Sequence, residues 1–404
     1  MISVEAALER LLAPLKPLAA EQIPVSEALG RVLAEDVVSR RTQPPFAVSA
    51  MDGYAVRAAD VATVPLRLRV IGAAPAGSAF AGTVGTGEAI RIFTGAPVPA
   101  GADCIVIQED TSRDGDWVTV NEGAPSGRYI RPEGLDFRAG AHGISAGRVL
   151  TARDIGLAAA MNRPWLLVHR RPRIAVLATG DEVVMPGDPI GPHQIVSSNG
   201  LALGALIAAS SGIPLQLGIA LDDPDSLRRM VEGAAGADML VTTGGASVGE
   251  HDLVQSALAD HGLELDFWKI AMRPGKPLMV GRLKGTPMLG LPGNPVSSLV
   301  CGLLFLRPAI EALLGIDRGS EKQRTARLAV PLAANDRRQD YLRAQTRHGD
   351  DGEIEVEPFA RQDSSMLSLL ARADCLVVRP PLAPAAQPGE RVPIIPFATG
   401  LASI

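Results

Sequence analysis

The sequence predicts a multidomain α/β and β protein: a central doubly wound α/β domain, a discontinuous helical region split by a β module, and a C-terminal β barrel. Three observations carry this reading. Between residues 171 and 318, apolar runs of strand length alternate with helical patterns. Between 44 and 139, short alternating runs are punctuated by Gly and Pro, with helical signals on either side. After Gly319 the helical patterns stop and short alternating strands take over. A chain of 404 residues is too long for one ordinary core, so several domains are expected.

The expected divisions are 1–43 plus 140–170 (helical), 44–139 (β), 171–318 (α/β) and 319–404 (barrel). Ser3 is a good helix cap, and Val4, Leu8, Leu11, Leu12 and Leu15 follow at helical spacing until Pro14 and Pro17 limit the run. A second helical piece is expected after Ser26. The runs 66–71 and 104–108 read as strands of the β module. Thr151 with Asp154 three residues later is a capping pattern for a helix over 151–161. In the α/β part, strands are expected at 174–178, 215–220, 238–242, 267–272, 278–280 and 288–291. Helices are expected at 201–209, 226–233, 253–259 and 296–314, which makes an open, mostly parallel sheet. The barrel strands are expected near 328–330, 341–346, 354–357, 376–378 and 392–395.

Composition narrows the function. The net charge is -5 and no Lys/Arg run appears, so a nucleic-acid partner is not expected. Cys104, Cys301 and Cys375 are single and widely spaced, which reads as reduced thiols in the cytoplasm with no nucleophile constellation. The N-terminal residues lack a signal pattern, and the longest apolar stretch, 299–306, is short of a membrane span, so no membrane is expected. The histidines form no zinc spacing, and His251 reads as a surface residue.

In a doubly wound sheet, ligands bind beyond the carboxyl ends of the strands. Four such ends are rich in polar or glycine residues: 179–182, 222–223, 242–249 and 292–295. Gly244 and Gly245 let the backbone turn sharply and bring N–H groups to an anion, flanked by Thr243, Ser247 and Gly249. This is neither a P-loop nor a GxGxxG fingerprint. Pro292, Gly293 and Asn294 form a similar turn, although Asn294 followed by Pro295 also suits an ordinary helix cap. Ser198 and Asn199, ahead of the helix at 201–209, join the candidate binding set. On one strand, Lys269, Ala271 and Arg273 would share a face, with Lys276 just beyond; two or three cations there suit an oxyanion. The acids Asp181, Glu182, Asp222, Asp223 and Asp252 surround the anion loop. Carboxylates beside phosphates imply a hard cation, Mg²⁺, between them. Capping is the plainer role for some, Asp181 and Asp223 in particular.

The motifs SAMDGYAV (49–56), ATGDEV (178–183), TTGGASVGEHD (242–252), KIAMRPGKPLMVG (269–281) and LPGNPVSS (291–298) together resemble the MoeA family of molybdopterin molybdenumtransferases, counterparts of the gephyrin E domain. The resemblance covers nearly the whole chain in the same order. It implies a homodimer of elongated protomers and a reaction in which molybdate and adenylylated molybdopterin, with Mg²⁺, give molybdenum cofactor and AMP. It places Asp252 on an essential acidic position, Glu182 on the acid of the GDE motif, Asp222 or Asp223 on a further acid, and Lys269 and Arg273 on two basic positions. It also places Asp52 and Thr94 of the β module on positions that complete the site across the dimer. Ala47-Val48 departs from the usual Asp-Asn before SAMDGYA, while Ala246 and Thr243 are conservative departures.

On this resemblance, the expected catalytic set is Asp252, Glu182, Lys269, Arg273, Asp52 and Thr94, and the expected Mg²⁺ ligands are Glu182, Asp222 and Asp252. The rival readings are a molybdopterin adenylyltransferase, which is usually a lone α/β domain, and a non-enzymatic gephyrin-like scaffold. Expected partners besides a second copy are a molybdopterin adenylyltransferase and molybdoenzyme maturation factors. Molybdate and tungstate are too alike for the sequence to separate.

Overall fold

The computed structural model describes residues 1–244, 253–259, 261–316, 324–349 and 351–397. Helix α1 (Val4–Leu12) forms as expected, with the Ser3 hydroxyl oxygen accepting from the Ala6 N–H at 3.1 Å. Its apolar face does not join the residues that follow it. Ala7 and Leu11 enter the core of the central domain, beside Ile270 and Leu314. Periodicity reveals that a helix has an apolar face, but not what covers it.

The discontinuous region is less helical than expected. The piece after Ser26 is only a 3₁₀ turn, Val25–Glu27, preceded by a strand, Ala20–Pro24. That strand pairs antiparallel with Trp165–His169, and Val37–Val38 pairs with His142–Ile144. Helix α2 (Ala152–Ala160) carries the expected capping box: Asp154 Oδ2 accepts from the Thr151 N–H at 2.8 Å and from its hydroxyl at 2.7 Å. Residues from both sides of the insertion, including Ile23, Leu33, Ile144 and Val168, share one core. Between them lies a six-stranded sheet in the order 104–107, 53–56, 88–92, 66–74, 117–120 and 111–114.

The central sheet has six strands: β1 (Arg173–Thr179), β2 (Ile213–Ala220), β3 (Met239–Thr243), β4 (Leu263–Lys269), β5 (Pro277–Leu283) and β6 (Thr286–Leu291). Their order is β2-β1-β3-β6-β5-β4. The first four are mutually parallel, while β5 and β4 add antiparallel at the edge. Alternate side chains feed two cores, as the pleat requires. Ile174, Val176 and Val241 pack under α3 (Asn199–Ala209) and α6 (Pro295–Leu313). Ala175, Leu177 and Leu240 pack under α4 (Pro224–Glu232) and α5 (Leu253–Ala259). Helices on both faces make the domain doubly wound.

Helix α6 includes one wider π turn, Gly302–Leu306. Pro308 lies just beyond it and has no N–H to continue the α ladder. Among the described helices, α6 alone is long and apolar enough to cross a membrane, and 72% of its apolar stretch is buried inside the protein.

The C-terminal strands close into a five-stranded barrel: Gln339–His348, Ile354–Pro358, Arg324–Leu328, Arg391–Pro396 and Cys375–Arg379, with the last pairing back to the first. Helical structure does not stop entirely at Gly319, because a short helix, Leu367–Ala371, lies between two barrel strands.

Candidate active site

The carboxyl ends of β1, β3 and β6 converge on a cleft of about 650 Å³. Gly244 makes the convergence possible. Its φ is +95°, and a Cβ there would stand 2.5 Å from the Thr179 carbonyl oxygen and 2.9 Å from the Thr179 hydroxyl. No larger residue fits without moving backbone. On the other side, a Cβ on Gly293 would lie 3.5 Å from Gly244 Cα, so any side chain there would already touch the neighbouring loop.

Asn199, at the start of α3, ties the strand ends together. Its Nδ2 donates to Thr243 Oγ1 at 3.0 Å and to the Gly293 carbonyl at 2.7 Å. The Thr243 hydroxyl in turn reaches the Pro292 carbonyl at 3.3 Å and the Ser298 hydroxyl at 3.4 Å. Of the sequence-predicted residues, Glu182, Ser198, Asn199, Thr243, Gly244, Pro292, Gly293 and Asn294 all line this cleft. Thr179 Oγ1, also in the lining, is buried without a hydrogen-bond partner. Such an orphan in an otherwise satisfied network is what a polar ligand atom would complete. Gly245, Ser247, Gly249 and Asp252 lie outside the described residues.

The acids divide. Glu182 is exposed at the cleft. Asp223 caps α4, accepting from the Ser226 N–H at 2.7 Å, which is the structural role expected of it. Asp181 accepts from the Asp222 N–H at 2.9 Å and so links the ends of β1 and β2. Asp222 is exposed but is not in the cleft lining. Among the described residues, no three acid, His or Cys side chains form a ready metal cluster.

The cations are arranged differently from the sequence expectation. Lys269 ends β4, and the chain then leaves the central sheet. Met272–Arg273 pairs in parallel with Gln339 and Asp340 of the barrel. Lys269, Ala271 and Arg273 therefore do not share one strand, and the alternation rule that grouped them does not apply. Arg273 is forked onto Asp340, Nε to Oδ1 at 2.9 Å and Nη2 to Oδ2 at 2.7 Å, with Asp336 at 3.4 Å. Neither Arg273 nor Lys276 lines the cleft, although Pro277 does.

Sequence reasoning missed a contribution from the barrel. Ser365 lines the cleft beside Ser297. Asp363 holds it, accepting from the Ser365 N–H at 2.8 Å and its hydroxyl at 2.6 Å; these bonds keep the Asp363 carboxyl below its usual range. Ser364 takes the side chain of Asn294, Nδ2 to Oγ at 3.0 Å, so Asn294 does not cap α6 with its side chain as expected. Underneath, Arg343 is only 1% exposed and donates to the Asp363 carbonyl at 2.6 Å and to Gln362 Oε1 at 3.0 Å. The one sequence signal was the polar run 362–365 between barrel strands, which by itself resembles an ordinary loop.

Asp52 and Thr94 do meet. One oxygen of Asp52 accepts from both the Thr94 N–H and its hydroxyl, each at 2.7 Å. These two bonds, with Arg91 nearby, hold the Asp52 carboxyl below its ordinary value. The pair does not line the cleft of its own chain. All three cysteines are buried free thiols, and burial pushes Cys104 and Cys375 up to about 12, far from nucleophilic use.

Residues 2–162 match the MoeA N-terminal region (domain I and II), 175–312 a probable molybdopterin binding domain, and 325–397 the MoeA C-terminal region (domain IV). The chain is 40% identical over 302 residues to a molybdopterin molybdenumtransferase of Nostoc sp., covering 73% of this chain and 69% of that one. It is 32% identical over 401 residues to the molybdopterin molybdenumtransferase of Haemophilus influenzae, covering 98% and 99%. A crystal structure of a molybdopterin biosynthesis MoeA protein from Pyrococcus horikosii superposes with a TM-score of 0.84 at 32% identity, covering 99% of this chain and 100% of that one. Matched from end to end in sequence and in fold, this chain belongs to the MoeA family.

Proposed function

We propose that this chain is a molybdopterin molybdenumtransferase, inserting molybdate into adenylylated molybdopterin with release of AMP. The observation that carries the reading is the cleft at the ends of β1, β3 and β6. It offers hydroxyl, amide and glycine-backbone groups around the orphan Thr179 hydroxyl, within a chain aligned over 401 residues to a transferase of that name.

Thr243, Gly244, Ser198, Asn199 and the 292–294 turn bind the pterin and its phosphates, and the family motif assigns Gly245, Ser247 and Gly249 to the same ligand. Ser365 adds a hydroxyl from the barrel. Lys269 and Lys276 supply positive charge for molybdate, and Arg273, locked to Asp340, fixes the segment between them. The donor chemistry fits Mg²⁺: Glu182 is a carboxylate beside a phosphate-type cradle, and Asp222 stands at the neighbouring strand end. Glu182, Asp222 and Asp252 would hold it. When bound, Mg²⁺ supplies charge neutralisation on the phosphoanhydride oxygens. Attack by a water or molybdate oxygen then breaks the bond to AMP, and no protein nucleophile is required. Asp52 and Thr94 act from a second protomer of a homodimer. Three buried reduced thiols suit the cytoplasm.

The test is molybdate-dependent AMP release from adenylylated molybdopterin. Wild-type chain should support it and an Asp252→Ala variant should not; near-normal turnover by that variant sinks the metal role. AMP transfer from ATP to molybdopterin without molybdate would instead identify an adenylyltransferase.

A further inference from the structure

We propose that the central domain carries a second ligand site, for a small amphiphilic carboxylate, at the end of the sheet opposite the cleft. A half-open cavity of about 280 Å³ lies between the C-terminal ends of α4 and α5 and the hairpin that joins β5 to β6. Its floor is apolar: Ala234, Leu240, Leu258 and Leu283 are each under a tenth exposed. Its rim is polar, with Arg228, Glu232, His261 and Lys284.

Two rim atoms call for a partner. Arg228 Nε and His261 Nδ1 are buried and make no hydrogen bond. Arg228 is otherwise anchored, its Nη1 donating to Asp225 Oδ1 at 2.7 Å, so the guanidinium is held in place with its buried Nε–H unused. A buried guanidinium N–H without an acceptor is costly, and a native fold rarely leaves one unless something binds there. The unused donor selects the character of that partner. Asp225 and Glu232 offset Arg228 and Lys284 in number, but the Arg228 Nε–H can only donate and Lys284 stands on the same rim, so an acceptor such as a carboxylate is favoured.

The hairpin adds an independent sign. Lys284 and Gly285 both have positive φ, +50° and +84°. Asn-Gly is the favoured pair for that turn, and a lysine there is held in a conformation it disfavours. The departure places a long cationic side chain on the rim of the cavity.

Size selects the rest. At about 30 Å³ per water-sized group, the cavity takes roughly nine non-hydrogen atoms. An acid of about eight carbons in all, roughly ten non-hydrogen atoms, matches both floor and rim. The site is structurally tied to the cleft without overlapping it. Leu240 of β3 floors the cavity, while Thr243 at the other end of the same strand lines the cleft. The proposed site stands whether or not the cleft performs the reaction assigned above.

Octanoate is the probe, titrated into the full chain by isothermal calorimetry. One saturable site per chain is expected, with Kd below ~1 mM. 1-Octanol, with the same tail and no charge, should bind at least ~10-fold more weakly, and Arg228→Met should weaken octanoate by ~10-fold or more. Ala234→Phe fills the floor and should abolish binding. Lys284→Gly suits the left-handed turn, keeps the fold, and should weaken octanoate ~3-fold or more. No saturable binding up to ~10 mM overturns the proposal. So does octanol binding as tightly as octanoate, or equal octanoate affinity in wild type, Arg228→Met and Lys284→Gly.

Discussion

At the cleft, Thr179, Thr243, Asn199 and Ser297 present neutral hydroxyl and amide groups inside a concavity, and the Thr179 hydroxyl has no partner. At the Asp52–Thr94 corner a carboxylate sits near the surface with one oxygen already taken by two donors. The first region is shaped to receive acceptor groups such as phosphates. The second is a charge held in one orientation, outside the lining of that cleft. The difference fits two sets of motifs lying on separate domains. A polar cradle needs converging strand ends, whereas a single oriented carboxylate needs only one turn.

The comparison breaks most sharply at Gly244. A Gly244→Val variant forces a side chain into the Thr179 backbone, and we expect a loss of about 2–4 kcal/mol in denaturant unfolding together with lost activity. If stability is unchanged, the strand ends do not meet as described. Next is Arg343→Met, which strips donors from Gln362 and the Asp363 carbonyl while keeping the bulk. A loss of about 2–3 kcal/mol and a raised KM are expected, because the 362–365 loop walls the cleft. Full activity in a folded variant would detach the barrel from the site.

Asn199→Ala removes two bonds across the cleft floor and should cost about 1–2 kcal/mol, with the larger effect on substrate binding. The smallest effect on folding is expected from Thr94→Val. It removes the hydroxyl bond and leaves the N–H bond, so the Asp52 carboxyl should move up toward its ordinary 3.8 when followed by carboxyl NMR. The sign follows from the lowered value. The stabilisation is present above pH 3.8 and is lost as pH falls through the folded value, so wild type should be the more stable at neutral pH and the two should converge in acid. Activity should fall at neutral pH all the same if the corner positions Asp52 for a second protomer.

Most of the elements were legible because their signals are local. The strand–helix alternation, the Ser3 and Asp223 caps, the Thr151–Asp154 box and the glycine demanded at position 244 each depend on neighbours in sequence. The cleft residues Asn199, Thr243 and Gly293 were legible too, because loops at strand ends in such a sheet must share one rim. The Lys269–Arg273 pairing was misread, since alternation assumes one continuous strand and the chain switches to the barrel between them.

By itself, then, the sequence determined the elements, their type and the polar rim, along with motifs enough to resemble one family. Tertiary structure alone decided that α1 packs into the central core, that Arg273 is spent on Asp340, that Asn294 turns to Ser364 instead of its own helix, and that Ser365 of the barrel enters the cleft. The physical reason is range. Periodicity, caps and turns are set by residues a few positions apart, while ion-pair partners and cleft walls are set by segments that meet only when the chain closes on itself. Arg273 and Asp340 are 67 residues apart, and Asn294 and Ser364 are 70.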